Sequence, residues 1–204
     1  MKLFSKLFGA KKATDSKPVI VVSGLPRSGT SMMMKMLEAG GIPVMTDNIR
    51  TADDDNPKGY YEFERVKQLD TDTAWLSDAQ GKVVKVISML LEKLPGGYEY
   101  KVIFMRRNIE EILASQRQML VRRGEETDKV PDEEMARMYA AHLEKIGSWL
   151  AGRDNMDLLY VEYSDVIGNV QSWSNRINTF LGGDLDIEKM NGVVDGSLYR
   201  QRAQ

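Results

Sequence analysis

A glycine- and hydroxyl-rich turn directly follows an apolar run in this chain, and its residue types are those that hold phosphate. Gly24-Leu25-Pro26-Arg27-Ser28-Gly29-Thr30-Ser31 comes after Val19-Ile20-Val21-Val22-Ser23 and leads into Met32-Met33-Met34-Lys35-Met36-Leu37. A strand, a glycine-bounded turn and a helix in that order aim backbone N–H groups at an anion. A nucleoside-triphosphate loop reads G-x-x-x-x-G-K-[ST], with its lysine on the β/γ-phosphates. Here Gly24 and Gly29 keep that spacing, but Thr30 stands at the lysine position and the positive charge has moved to Arg27. Such a loop suits a phosphate-like group other than the end of ATP.

A second cationic centre, Arg106-Arg107, ends another apolar run, and Ser115 lies eight residues beyond Arg107 on the helix that follows. In an open parallel sheet, ligands bind beyond the carboxyl ends of the strands. Both centres fall at such ends, so one ligand with two separated anionic groups would satisfy them together. Of the two arginines, Arg107 is the candidate binder and Arg106 a solvated neighbour. Glu62 and Glu64, after the turn Gly59-Tyr60-Tyr61, are candidate proton acceptors; the alternative is that they are surface carboxylates favoured in a helix first turn by its dipole. Asp53-Asp54-Asp55 reads as a solvated acidic loop, and the single histidine, His142, as a packed residue on an apolar helix face. The absence of cysteine excludes disulfides, thiolate catalysis and cysteine-based zinc sites.

The elements that must position these groups alternate. Strands are expected at 19–23, 42–45 (an edge strand, from Pro43), 82–87, 100–105 and 158–161, with helices at 30–39, 109–123, 132–150 and 166–181. Asn108 with Glu111 three residues on suggests a capping box. Met135, Met138, Tyr139, His142, Ile146 and Trp149 form one apolar face, and Met32–Met34 read as core and groove lining. This alternation predicts an α/β fold with a central, mostly parallel sheet and right-handed crossovers. At 204 residues, one domain over 18–204 is expected behind a basic tail at 1–17. The tail lacks the apolar run of a signal peptide and is expected to be disordered, or else to form a weak membrane-surface or partner-binding helix. No apolar stretch reaches the about 18–20 residues of a membrane span, so a cytoplasmic location is expected. A net charge of −2 argues against a nucleic-acid binder and means that anion affinity comes from locally placed cations.

P-R-S-G-T-S after one strand and R-N-x-x-[DE]-x-x-x-S after a later one resemble the sulfotransferases that use 3′-phosphoadenosine 5′-phosphosulfate (PAPS). The likeness extends to Tyr160-Val161-Glu162-Tyr163-Ser164-Asp165, to Phe180-Leu181-Gly182, and to Ser197-Leu198-Tyr199-Arg200, which is similar to the tail of bacterial members. The resemblance implies a three-layer sandwich related to the P-loop NTPases, with PAPS as co-substrate and no metal required. It implies that Arg27, Ser28, Gly29, Thr30 and Ser31 hold the 5′-phosphosulfate, that Arg107 and Ser115 hold the 3′-phosphate, and that Arg200 joins the cofactor site. Many members carry a K-[TS]-H motif on the third strand; here Lys85 matches its lysine, which assists the leaving phosphate, while Ile87 stands at the histidine position. Some members use a carboxylate base, which makes Glu62 the first candidate and Glu64 the second. A carboxylate serves an alcohol poorly as a base unless burial raises its pKa or the transition state is late. The implied reaction is sulfuryl transfer to a hydroxyl or amine of a small molecule, sugar or peptide. A P-loop kinase of a small metabolite and a catalytically silent nucleotide- or partner-binding relative are the alternatives.

Overall fold

The computed structural model describes residues 16–47, 49, 59–127 and 129–199. Its centre is β1 (Val19–Gly24), every residue of which is buried. That burial explains the unbroken apolar run, since a strand covered on both faces has no solvent side for polar residues. Around it lie β2 (Val44–Met45), β3 (Val83–Lys85), β4 (Tyr100–Arg106) and β5 (Met156–Glu162), in the order β2-β3-β1-β4-β5. All four pairings are parallel.

The crossovers are α1 (Thr30–Ala39) after β1, then α2 (Ile109–Arg123) and α3 (Asp132–Ala151) between β4 and β5. After β5 come α4 (Tyr163–Gly168), α5 (Val170–Leu181) and α6 (Ile187–Gly192). Strand periodicity divides the core into two layers. Val19, Val21, Val84, Val102 and Phe104 face Trp75, Leu76, Ile146 and Leu150. Ile20, Val22, Val83, Ile103 and Met105 face Met33, Met34, Leu37 and Ile177. Helices therefore flank both faces of the sheet.

The structure departs from the sequence expectations at identifiable points. The helix expected over 166–181 is two helices, broken at Asn169, whose side chain accepts from Ser172 N–H (3.1 Å) and so caps α5. Asn108 caps α2 by accepting from Glu110 N–H at 2.8 Å, while Glu111 turns away to pair with Arg107 rather than closing a capping box. On α3, Met138 is exposed and Leu150 takes its place in the core. The strand expected over 82–87 is shorter, ending at Lys85. Met33 and Met34 are fully buried, and Met32 borders the cleft described next.

Candidate active site

Because β3 and β4 flank β1, three chain segments leave the sheet side by side at its carboxyl edge. The register pairs Gly24 with Met105 and Val22 with Lys85. Arg27, three residues past Gly24, and Arg107, two past Met105, are therefore neighbours by construction. Lys85 lies on the other side of β1, two strand spacings or roughly 10 Å from β4.

The loop is closed by steric necessity. Gly24 has φ +144, and a Cβ there would stand 2.5 Å from both the Met105 carbonyl and Ser28 Oγ. Gly29, at φ +97, caps α1, and a Cβ there would meet the Tyr163 ring at 2.5 Å. Arg27 itself has φ +70, which is uncommon for a residue with a side chain and is the type of strain found at ligand clamps. No side chain caps the N-terminus of α1, and Ser28 Oγ is buried without a hydrogen-bond partner among the described residues. An orphaned hydroxyl beside an uncapped helix start matches the donor set an anion requires.

Arg27 Nε donates to Ser115 Oγ at 3.0 Å, and Arg107 Nη1 donates to the Arg27 carbonyl at 3.1 Å. The two motifs, 80 or more residues apart, thus meet directly. Arg107 Nε pairs with Glu111 at 2.9 Å, with side chains only 8% and 6% exposed. Tyr199 OH donates to the other Glu111 oxygen at 2.7 Å. The Arg107 guanidinium also lies over the Tyr163 and Tyr199 rings, at 4.7 and 5.3 Å from their centroids, and those rings meet edge to face. Burial pushes the Tyr163 phenol above its ordinary pKa, with the Arg107 charge opposing, so the ring stays uncharged beside the cation. Arg107 is thereby fixed by a carboxylate and two aromatic faces.

Arg27, Gly29, Thr30, Ser31, Arg107 and Ser115 share one cleft of about 500 Å³ with Lys85 and Glu62. Lys85 Nζ donates to the Tyr60 carbonyl and stands 4.0 Å from Glu62 Oε1. Ser31 Oγ donates to the same Tyr60 carbonyl at 3.4 Å. The Glu62 carbonyl accepts from Thr46 Oγ1 (2.9 Å) and Asp47 N–H (3.2 Å), which ties its backbone to the edge of β2. Tyr61, at φ +53, is held by its hydroxyl donating to Glu38 at 2.5 Å. Glu64 pairs with Lys67 at 2.7 Å and does not line the cleft. Ile87 does line it, so the wall at that position is apolar.

Other candidates lie elsewhere. Arg106 is exposed, 3.7 Å from Glu162 and stacked on Tyr160, as a solvated neighbour would be. His142 Nε2 is 2.9 Å from the buried Ser88 Oγ, and burial lowers its pKa, so it is a packed neutral group. Asp53, Asp54, Asp55 and Arg200 lie outside the described residues. Among the described residues, no helix is long and apolar enough to cross a membrane.

Three residues received no site role from the sequence: Tyr163, Tyr199 and Glu111, which was read only as a capping residue. Glu111 was visible inside the R-N-x-x-[DE] motif, four residues past Arg107 on one helix face. The two tyrosines sit within quoted motifs, but their stacking depends on how the α4 start and the C-terminal segment fold together.

Residues 17–201 match the family described as the sulfotransferase domain. Among solved structures the chain is similar to a sulfotransferase from Mycobacterium tuberculosis, with 15% identity and a TM-score of 0.53 over 87% of this chain and 70% of that one. It is also similar to a sulfotransferase domain from the curacin biosynthetic pathway (13%, TM-score 0.51, over 89% and 79%). A mouse sulfotransferase complexed with PAP gives 17% and 0.53 over 86% of this chain, which spans only 61% of the mouse chain. At these identities the likeness is one of fold. No curated protein sequence matches the chain.

Proposed function

This chain belongs to the sulfotransferase domain family, and from that premise we propose that it moves a sulfuryl group from PAPS to a hydroxyl or amine of an acceptor, with Glu62 as base. The observation that carries the reading is the meeting of two cationic centres in one cleft, Arg27 on Ser115 and Arg107 on the Arg27 carbonyl. A donor bearing charge at both the 5′ and 3′ positions of its ribose needs two such centres.

In this reading, Arg27, Ser28, Gly29, Thr30 and Ser31 present the α1 N-terminus, its hydroxyls and one cation to the phosphosulfate, while Arg107 and Ser115 take the 3′-phosphate. PAPS supplies an activated sulfuryl group, and the chain's residues supply position and charge. Glu62 accepts the proton leaving the acceptor oxygen or nitrogen as that atom bonds to sulfur. The bridging sulfur–oxygen bond breaks, and its electron pair remains on the phosphate oxygen. Lys85, Arg27 and the loop N–H groups stabilise the charge that collects there, the usual form of electrostatic catalysis. The fixed backbone at Glu62 and the pinned Tyr61 turn favour one orientation of the base. Residues 18–204 form the catalytic domain in this proposal, behind the basic segment 1–17. The acceptor is a small molecule, sugar or peptide.

The test is turnover of PAPS by the purified protein against hydroxyl and amine acceptors, with Glu62→Gln alongside. Glu62→Gln loses transfer by two orders of magnitude or more, on the order expected for removing a general base, and keeps its affinity for adenosine 3′,5′-bisphosphate (PAP). Full activity in Glu62→Gln removes that residue from the mechanism. An apolar Ile87 in the cleft wall is the one feature favouring a silent relative; PAP binding without transfer to any acceptor is its signature.

A further inference from the structure

Two residues govern Arg107 from behind the cleft. Arg107, Ser115 and Tyr163 border it, whereas Glu111 and Tyr199 are not among its described lining residues. Arg107 Nε is tied to one Glu111 oxygen at 2.9 Å, and Tyr199 OH donates to the other at 2.7 Å. The last torsion of a glutamate is broad, so one donor leaves the carboxylate plane loosely set. A donor on each oxygen fixes that plane, and the plane sets the direction of the guanidinium fork. The Tyr199 ring adds its face 5.3 Å from the guanidinium and meets the Tyr163 ring edge to face at 5.1 Å.

Tyr199 reaches this place on a returning segment. α6 ends at Gly192, after which Val193 and Val194 pack against the core layer that holds Ile177 and Met190. Asp195 then opens a 3₁₀ turn, Gly196–Leu198, by accepting from Ser197 N–H at 3.0 Å. The N–H groups of Val193, Val194 and Tyr199 donate to carbonyls three residues back. Those bonds shape the segment locally, and the Tyr199 hydroxyl and ring join it to α2 and to the first residue of α4.

We propose that Tyr199 is a positioning residue for the donor. By fixing the Glu111 carboxylate it aims Arg107 at the 3′-phosphate, so docking of the 193–199 segment and occupation of that subsite strengthen each other. This inference rests on the sulfotransferase reading and deepens the same site. A cation held in place before the ligand arrives loses little freedom on binding. Without the Tyr199 hydroxyl the carboxylate swings and the guanidinium turns with it. Linkage makes the effect reciprocal: what the docked segment adds to PAP affinity, bound PAP returns to the segment. Adenosine 5′-monophosphate lacks the 3′-phosphate and gains nothing from the alignment.

The experiment titrates PAP and adenosine 5′-monophosphate calorimetrically into the full chain and into Tyr199→Phe, which loses the hydroxyl and keeps the ring. Hydrogen exchange at residues 193–199 is followed with each nucleotide bound. Wild type prefers PAP; Tyr199→Phe lowers PAP affinity by about fivefold or more and moves the monophosphate by less than about twofold. PAP slows exchange at 193–199 in wild type, the monophosphate does not, and the slowing shrinks in Tyr199→Phe. An unchanged PAP preference in Tyr199→Phe, or equal losses for both nucleotides, overturns the proposal, since a merely structural role moves both alike. So does slowing that is absent in wild type, or that is undiminished in Tyr199→Phe, which would assign it to the adjoining Arg200. Wild type that binds PAP no better than the monophosphate removes the 3′ subsite itself, and this inference with it. The wild-type exchange comparison decides the matter even where the variant fails to fold.

Discussion

Replacing Arg107 with lysine keeps the positive charge opposite Glu111 but removes the planar fork that makes several contacts at once. In the structure one guanidinium nitrogen pairs with Glu111 at 2.9 Å and another donates to the Arg27 carbonyl at 3.1 Å, while the same group borders the cleft. A lysine Nζ held by Glu111 reaches neither the Arg27 carbonyl nor an anion beyond it. The loss is at least one charge-assisted hydrogen bond to the 3′-phosphate, about 1.5–3 kcal/mol, or roughly 10- to 150-fold in PAP affinity. Adenosine 5′-monophosphate lacks that phosphate, so its affinity changes by less than about twofold. The assay is calorimetric titration of both nucleotides into wild type and Arg107→Lys, with urea midpoints to confirm folding. The retained charge keeps the buried carboxylate compensated, which avoids the about 3–5 kcal/mol that breaking a buried pair costs. Parallel losses for PAP and the monophosphate, or no loss for either, refute the assignment of Arg107 to the 3′ end.

Two further outcomes follow from the geometry. Gly29→Ala places a Cβ at φ +97 and 2.5 Å from the Tyr163 ring; it lowers stability by at least about 1 kcal/mol in urea titration and weakens PAP binding, and a neutral result means that the loop is not held against Tyr163. His142, whose pKa burial lowers from 6.5, is unprotonated in the fold at pH values where the unfolded chain binds a proton. Its contribution to stability is complete above pH 6.5 and declines as pH falls below it. His142→Gln therefore flattens the acid side of the stability profile between about pH 7 and 5; an unchanged slope contradicts the packed, neutral histidine.

Much of the site was legible because its chemistry is local. Strand, glycine turn and helix in succession identify Gly24–Ser31 without tertiary information, and the eight-residue interval from Arg107 to Ser115 is a helix-face spacing. Parallel pairing of β1 with β4 then brings the two motifs together; the alternation of elements predicts the parallel sheet but not that adjacency. The remainder depends on long-range packing. Glu111 has the spacing of a capping residue, and only the buried Arg107 decides that it pairs there instead. Tyr163 and Tyr199 meet edge to face because α4 and the C-terminal segment pack together, a contact no periodicity encodes. Lys85 donates to the Tyr60 carbonyl next to Tyr61, whose positive φ is unexpected for an aromatic residue. The break at Asn169 did leave a trace: Gly168-Asn169 is a stop followed by a cap, hidden inside an apolar pattern that runs through both helices.

The central claim is that one cleft grips a doubly anionic adenylate at both ends, and ligand-induced stabilisation tests it most directly. At 100 times its Kd, PAP adds about 2.7 kcal/mol, which for a domain of this size raises the melting temperature by roughly 5–10 °C. The account predicts that shift with PAP and none approaching it with Mg·ATP. A response to Mg·ATP with none to PAP contradicts it.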